Sequence, residues 1–175
     1  MVSTKQFQKK ICLLGDGAVG KTSLIRKYVL DVFDDKYIST VGTKLSRKEM
    51  VFQQPEQDLQ VAMTLMIWDI VGQKEYQKLH LMYFQGANGA LVVCDITRKE
   101  TLDNSIGWAE SIQGTVGNIP LLFLANKSDL KDQAQFGEDE LKAVAEKFNA
   151  GYLLTSAKTG LNVEEAFLGL SQSMV

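Results

Sequence analysis

Between residues 15 and 22 the chain carries side chains and backbone suited to holding phosphate. The stretch Gly15-Asp16-Gly17-Ala18-Val19-Gly20-Lys21-Thr22 fits the pattern G-x-x-x-x-G-K-[ST] without a gap or substitution. Glycine at 15, 17 and 20 lets the backbone turn tightly and bring its N–H groups to phosphate oxygens. Lys21 supplies a mobile cation for terminal phosphates, the Thr22 hydroxyl is a ligand for Mg²⁺, and Ser23 continues the same nucleotide-binding stretch. Three further groups of polar residues follow apolar runs: Asp69-Ile70-Val71-Gly72-Gln73, Asn126-Lys127-Ser128-Asp129 and Ser156-Ala157-Lys158.

The elements around these residues are what make the chemistry credible. The apolar run Ile11-Cys12-Leu13-Leu14 reads as a buried strand over about 9–14, after a polar, flexible stretch at 1–8. Leu24, Ile25, Tyr28 and Val29 recur at helical spacing just after the glycine loop, giving a helix to about Leu30. A helix start adds unpaired N–H donors and the positive end of its dipole. Residues 31–43 form a long polar loop, and long loops in compact domains are usually functional. Val51-Phe52 and residues 59–68 suggest an antiparallel hairpin across the polar turn 53–58.

Beyond it, residues 74–85 read as an irregular helix, 90–94 as a strand ending at Asp95, and 101–114 as a helix with Thr101 as its cap. A strand over 121–125 ends at Asn126, a helix covers 138–148, and a short strand over 152–155 leads into Ser156. Asn162 is expected to cap the last helix, and His80, the single histidine, to be a surface or partly buried helix residue with no catalytic part. Short strands alternating with helices imply an α/β fold. Its sheet should have about six mostly parallel strands, one antiparallel at an edge, with about five helices on both faces. Each chemically capable group then falls at a strand's C-terminal end, on the ligand edge of such a sheet.

Composition narrows the field. The 175 residues suit one domain over 9–175, and 45% hydrophobic with 23% charged residues is ordinary for a globular protein. A net charge of −2 gives no reason to expect nucleic-acid binding. Cys12 and Cys94 lie in apolar runs, which favours buried reduced thiols and a cytoplasmic protein over a disulfide or metal site. The apolar runs are far short of a membrane span.

From about Lys9 to Leu170 the chain resembles the Ras superfamily of small GTPases, and within it the Rab family. The resemblance rests on G-D-G-A-V-G-K-T, W-D-I-V-G-Q, N-K-S-D and T-S-A-K in the family's order and spacing, and on the stretch from Tyr83 to Thr97. It implies a phosphate-loop G domain that binds GTP or GDP with Mg²⁺ and hydrolyses GTP. Lys21 and the loop N–H groups would hold the β- and γ-phosphates, with Thr22 and Thr40 on Mg²⁺ and Asp69 reaching the metal through water. The Gly72 N–H would contact the γ-phosphate and Gln73 would orient the attacking water. Phe33 and Tyr37 would lie by the nucleotide. Asp129 would accept from the ring N–H and amino group of guanine. Asn126 would brace the loops, Lys127 and Lys158 would cover the base's two faces, and the Ala157 N–H would donate to its oxygen. The same resemblance implies effector, exchange-factor and activating proteins meeting residues 33–45 and 69–85, a monomer, and a role in membrane traffic.

Departures from the family pattern limit that transfer. Ile70 and Val71 stand where the family has threonine and alanine, and two β-branched residues stiffen the backbone ahead of Gly72. Residues 41–45 and 74–77 also differ, so partner choice does not transfer. The sequence ends at Met174-Val175 with no cysteine for prenylation, so membrane anchoring is unsupported by this C-terminus; a peripheral membrane location would need an additional tail. Besides the GTPase switch, a second reading is a GTP/GDP-binding scaffold with negligible turnover, which Ile70 and Val71 favour and Gly17, Thr40 and Gln73 oppose. A third, an ATP-using phosphotransferase, is disfavoured by Asp129 and by the lack of an acceptor-site motif.

Overall fold

The computed structural model describes residues 3–31, 33, 44–72 and 77–175. Six strands form one sheet in the order β2-β3-β1-β4-β5-β6: β1 (Ser3–Leu14), β2 (Lys44–Gln54), β3 (Leu59–Asp69), β4 (Gly89–Asp95), β5 (Leu121–Asn126) and β6 (Gly151–Leu154). All neighbours pair in parallel except β2, which runs antiparallel to β3 at one edge. Among the described residues five α-helices connect them: α1 (Lys21–Leu30), α2 (Gln77–Phe84), α3 (Lys99–Val116), α4 (Glu138–Glu146) and α5 (Val163–Ser173). This is the α/β architecture that the alternating pattern predicts.

Side-chain alternation along the strands divides the core into two layers. Ile11 and Leu13 of β1 face one way and join Leu24 and Ile25 of α1 with Val163, Phe167 and Leu170 of α5. Cys12 and Leu14 face the other way, against Phe84 of α2, Leu102, Ala109 and Ile112 of α3, and Leu141 and Val144 of α4. Every residue of β4 is buried, as expected of a parallel strand covered on both faces. Both thiols are buried and free, and burial pushes Cys12 up to about 12 and Cys94 higher still, which keeps both protonated and inert.

Several boundaries differ from the sequence reading. Residues 3–8 are not loose chain: they pair with 59–64 of β3. The hairpin arm is also longer than Val51-Phe52, starting at Lys44. Both extensions are held by backbone hydrogen bonds while most of their side chains are exposed, so no apolar alternation announces them. Thr101 is inside α3 rather than its cap; its hydroxyl accepts the Asp95 N–H at 2.8 Å and donates to the Arg98 carbonyl at 2.7 Å. Asn162 occupies the N-cap of α5 in a left-handed conformation, but its amide donates to the Leu154 carbonyl at 2.8 Å and makes no cap bond. His80 is only 4% exposed, because α2 lays its ring on Trp108 of α3, with centroids 4.9 Å apart. Among the described residues no helix is long and apolar enough to cross a membrane.

The parallel strands carry the ends of β1, β3, β4, β5 and β6 to one rim. The strand order reverses at β1, with β3 added on one side and β4 on the other, and ligands of open α/β sheets bind at such a point.

Candidate functional site

The glycine loop leaves β1 at Leu14 and enters α1 at Lys21, between a buried strand and a helix N-terminus. Its carbonyls are all taken up. Lys21 Nζ donates to the Gly15 and Asp16 oxygens, each at 2.8 Å. Arg98 Nη2 donates to the Gly17 oxygen at 2.8 Å, Lys127 Nζ to that of Ala18 at 2.8 Å and Asn126 Nδ2 to that of Val19 at 3.0 Å. The Gly20 carbonyl accepts the Leu24 N–H at 2.9 Å, the first bond of α1. In a trans peptide the N–H points opposite to the preceding carbonyl. Holding the carbonyls of residues 17–20 therefore turns the N–H groups of Ala18, Val19, Gly20 and Lys21 away from those donors. Together with the helix dipole they form a cradle for an anion.

Glycine is required at position 20. Its φ is 101°, and a Cβ there would lie 2.2 Å from Asn126 Nδ2, the donor that holds Val19. Lys21 is buried, and burial lowers its ammonium to about 8 although the carboxylates of Asp69 and Asp16 pull it back up. It stays mostly charged at neutral pH, close to the cradle.

Asp69 ends β3 almost fully buried beside this lysine. The Thr22 hydroxyl donates to its Oδ2, whereas Oδ1 is buried with no hydrogen-bond partner among the described residues. Burial raises the Asp69 carboxyl, against the Thr22 hydrogen bond and the charges of Lys21 and Lys44. An orphaned carboxylate oxygen next to a hydroxyl is a hard oxygen donor set, which fits Mg²⁺ sharing its shell with water and phosphate. Among the described residues no group of three or more His, Cys, Asp and Glu forms a metal cage, so such an ion needs those other oxygens.

A ring of side chains outside the loop keeps it in shape. The Asp95 carboxylate accepts from the Thr97 N–H at 2.9 Å and hydroxyl at 2.7 Å, and pairs with Arg98 Nε at 3.2 Å and Lys127 Nζ at 2.9 Å. Burial alone would raise this acid; the Thr97 and Lys127 bonds outweigh it and hold it below the usual carboxylate range. Asp95 thus orients the two cations that hold the Gly17 and Ala18 carbonyls. On α3, Asn104 Nδ2 donates to Asp16 Oδ2 at 2.7 Å and Trp108 Nε1 to Asp16 Oδ1 at 3.0 Å. The Asp16 side chain thereby faces α3.

The loops after β5 and β6 are stitched together. Asn126 Oδ1 accepts from the Thr155 hydroxyl at 3.2 Å and the Ala157 N–H at 3.3 Å, so that N–H is directed at Asn126 here. Ser128 N and Oγ both donate to the Thr155 carbonyl, at 3.0 and 2.7 Å. The Ser156 hydroxyl donates to Asp129 Oδ1 at 2.8 Å and fixes the carboxylate expected to read the base. Lys158, two residues after Ser156, is exposed. Gly72 packs on the glycine loop so closely that a Cβ would lie 2.4 Å from Gly17 N. Phe33 is 38% exposed and makes no ring contact among the described residues. Tyr37, Thr40 and Gln73, and most of the segment 33–45 expected to meet partner proteins, lie outside the described residues.

Asp95, Arg98, Asn104 and Trp108 belong to this site and were not read from the sequence as its members. Asn104 and Trp108 did leave a signal: four residues apart, they put two donors on one helix face.

Residues 10–175 match the Ras family model. Ras-related protein RABA4a of Arabidopsis thaliana is 36% identical over 159 residues, spanning 90% of this chain and 68% of that protein. Human Ras-related protein Rab-8B is 31% identical over 176 residues, spanning 100% of this chain and 82% of that protein. Human Ras-related protein Rab-22A is 34% identical over 164 residues, spanning 93% of this chain and 81% of that protein.

Proposed function

Because this chain belongs to the Ras family of small GTPases and is Rab-like within it, we propose that it is a Mg²⁺-dependent switch that hydrolyses GTP to GDP and phosphate. The observation that carries the reading is the loop whose carbonyls are bound from behind, turning four consecutive N–H groups to the other side. Those N–H groups, the α1 N-terminus and Lys21 would bind the β- and γ-phosphates. They would also stabilise charge developing on the leaving diphosphate as water attacks the γ-phosphorus in line. Thr22 and Thr40 would hold Mg²⁺ directly and Asp69 through water; when bound, the ion neutralises charge on the β- and γ-oxygens. Gln73 would orient the water, and the Gly72 N–H would contact the γ-phosphate.

Base selection would rest on Asp129. Guanine offers a ring N–H and an amino group to one carboxylate, whereas adenine lacks that pair of donors. Leaving the site's acceptor unpaired can cost a factor of about 10⁴ in discrimination. Lys127 and Lys158 would flank the base, and Ala157 would donate to its oxygen once Asn126 releases that N–H. Loss of the γ-phosphate would free the segments around Thr40 and Gly72, changing which effector, exchange-factor and activating proteins bind residues 33–45 and 69–85. The Rab relatives support work in membrane traffic from the cytoplasm.

One observation favours a second reading, a GTP/GDP-binding scaffold. Ile70 and Val71 are 0% and 3% exposed, and the Ile70 N–H bonds the Leu13 carbonyl at 3.3 Å, so the chain entering Gly72 is tied into the core. Single-turnover GTP hydrolysis with Mg²⁺, in the wild type and in Gln73→Leu, separates the two. The switch reading expects slow turnover that the substitution abolishes; bound GTP that persists equally in both proteins supports the scaffold.

A further inference from the structure

Positive φ falls on six non-glycine residues among the described ones: Ala18, Asp31, Asp58, Lys127, Asn149 and Asn162. Asp and Asn tolerate this left-handed geometry, because their short polar side chains can bond the local backbone. Alanine and lysine have no such side chain, and these two residues are bonded to each other. Ala18 lies inside the glycine loop at φ 64°, and Lys127, also at 64°, donates through Nζ to its carbonyl at 2.8 Å. A left-handed alanine is strained, and such a conformation persists only where its surroundings impose it.

The peptides on both sides of Ala18 are gripped by cations. Arg98 Nη2 donates to the Gly17 carbonyl before it, and Lys127 Nζ to its own carbonyl after it. Both cations are tethered to one oxygen: Asp95 Oδ2 lies 3.2 Å from Arg98 Nε and 2.9 Å from Lys127 Nζ. Thr97 holds the other oxygen, Oδ1, through its N–H and hydroxyl, and the Asp95 side chain is buried, so the anchor is fixed. Each peptide is planar, so fixing the planes before and after Ala18 sets both of its backbone rotations. We infer that Arg98 is a positioning residue for nucleotide retention: with Lys127, on the Asp95 anchor, it keeps Ala18 left-handed and the Ala18 and Val19 N–H groups turned to the phosphates. This role rests on the switch reading above, and it makes nucleotide release depend on a side chain behind the loop. Lys127 is also expected beside the base, so Arg98 is the arm that tests the clamp alone.

Arg98→Met removes the guanidinium at similar length. The turn that carries it keeps its backbone bonds, Arg98 N–H to the Asp95 carbonyl at 2.9 Å and Thr101 N–H to the Arg98 carbonyl at 3.0 Å. Ala18→Gly removes the left-handed penalty. Dissociation rates of a fluorescent GDP derivative, with Mg²⁺ present, are compared in the wild type, both single variants and the double variant. With Ala18 in place, Arg98→Met should speed release about 5- to 30-fold, the rate equivalent of the left-handed penalty of an L residue. In the Ala18→Gly background the same change should speed release by less than about threefold, because the clamp then has no strain to hold. An arginine with a merely structural role gives equal acceleration in both backgrounds. Backbone NMR couplings of the GDP-bound wild type add an arm independent of any variant's folding: φ at Ala18 should be positive. Equal acceleration in both backgrounds, no acceleration in either, or a negative φ at Ala18 overturns the role of Arg98 alone. A wild type that binds no guanine nucleotide overturns the switch reading, and the role of Arg98 with it.

Discussion

Gly72→Ala tests whether the contact between the end of β3 and the glycine loop sets triphosphate recognition. The new Cβ would lie 2.4 Å from Gly17 N, 2.5 Å from the Asp16 carbonyl carbon and 2.7 Å from the Gly15 oxygen. All three are backbone atoms of a loop whose carbonyls are already bound, so the loop has little room to yield. Reaching ordinary contact near 3.4 Å requires Gly72 to retreat by about 1 Å. A hydrogen bond of about 2.9 Å from the Gly72 N–H to a γ-phosphate oxygen would then stretch to about 3.9 Å, beyond useful range. Losing a bond to a charged group costs about 1.5–3 kcal/mol, or roughly 10- to 150-fold in affinity. The expected result is that loss for a GTP analogue with GDP affinity kept, since GDP has no γ-phosphate. Competitive displacement of a fluorescent GDP derivative measures both. Analogue and GDP affinities that keep their wild-type ratio refute the reasoning, as does an equal fall in both, which would mean that the glycine loop had been deformed instead.

Three further perturbations follow from the same geometry. Ile70→Thr with Val71→Ala should raise the intrinsic single-turnover hydrolysis rate several-fold by loosening the chain before Gly72; a rate equal to the wild type's removes the argument from stiffness. Asn126→Ala leaves the Val19 carbonyl without its side-chain donor and the Thr155 hydroxyl and Ala157 N–H without an acceptor. Urea unfolding should show a loss of about 1–3 kcal/mol, with faster nucleotide release, and a loss below about 0.5 kcal/mol contradicts the bracing role. His80 is lowered from its ordinary value, first by burial and then by the charge of Lys21, with the Val71 bond opposing. The unfolded chain therefore binds more protons just below pH ~6.5, so the His80 contribution is full above that pH and is lost as pH falls toward the folded value. The imidazole NMR midpoint should lie below 6.5, and the stability loss between pH 7 and 5.5 should shrink in His80→Phe; a midpoint at or above 6.5 refutes this.

The fold was legible where buried side chains mark an element and silent where backbone alone decides. β4 and β5 read directly from unbroken apolar runs, while residues 3–8 and 44–50 pair as strands with mostly exposed side chains and so resemble loop. The strand–loop–helix junction at the glycine loop was legible because its motif demands particular residues at a fixed spacing. Arg98 and Asp95 were not, because their roles arise from the β4–α3 turn coming beside the loop, which depends on tertiary placement. His80 is more buried than the surface or partly buried position expected of it for a related reason: nothing in the sequence of α2 tells that α3 presents an indole to it.

The two ends of the site are mechanically one unit. Strand β4 separates β1 from β5, so a residue at the end of β5 must reach past β4 to touch the glycine loop. Asn126 spans that gap to Val19, and the missing side chain of Gly20 leaves the space it needs. Lys127 spans it to Ala18 while anchored on Asp95 at the end of β4. Asn126 Oδ1 then gathers Thr155 and Ala157 from the β6 side, next to the Ser156 that fixes Asp129. Any shift of the loop after β5, which would read the base, is therefore transmitted through two side chains to the peptides whose N–H groups would face the phosphates. Conversely, filling the phosphate cradle stabilises the loop that holds Asp129. Recognition of the base and of the phosphates should accordingly be coupled: weakening either end by substitution at Asn126 or Lys127 should speed release of the whole nucleotide instead of relaxing selectivity for its base alone.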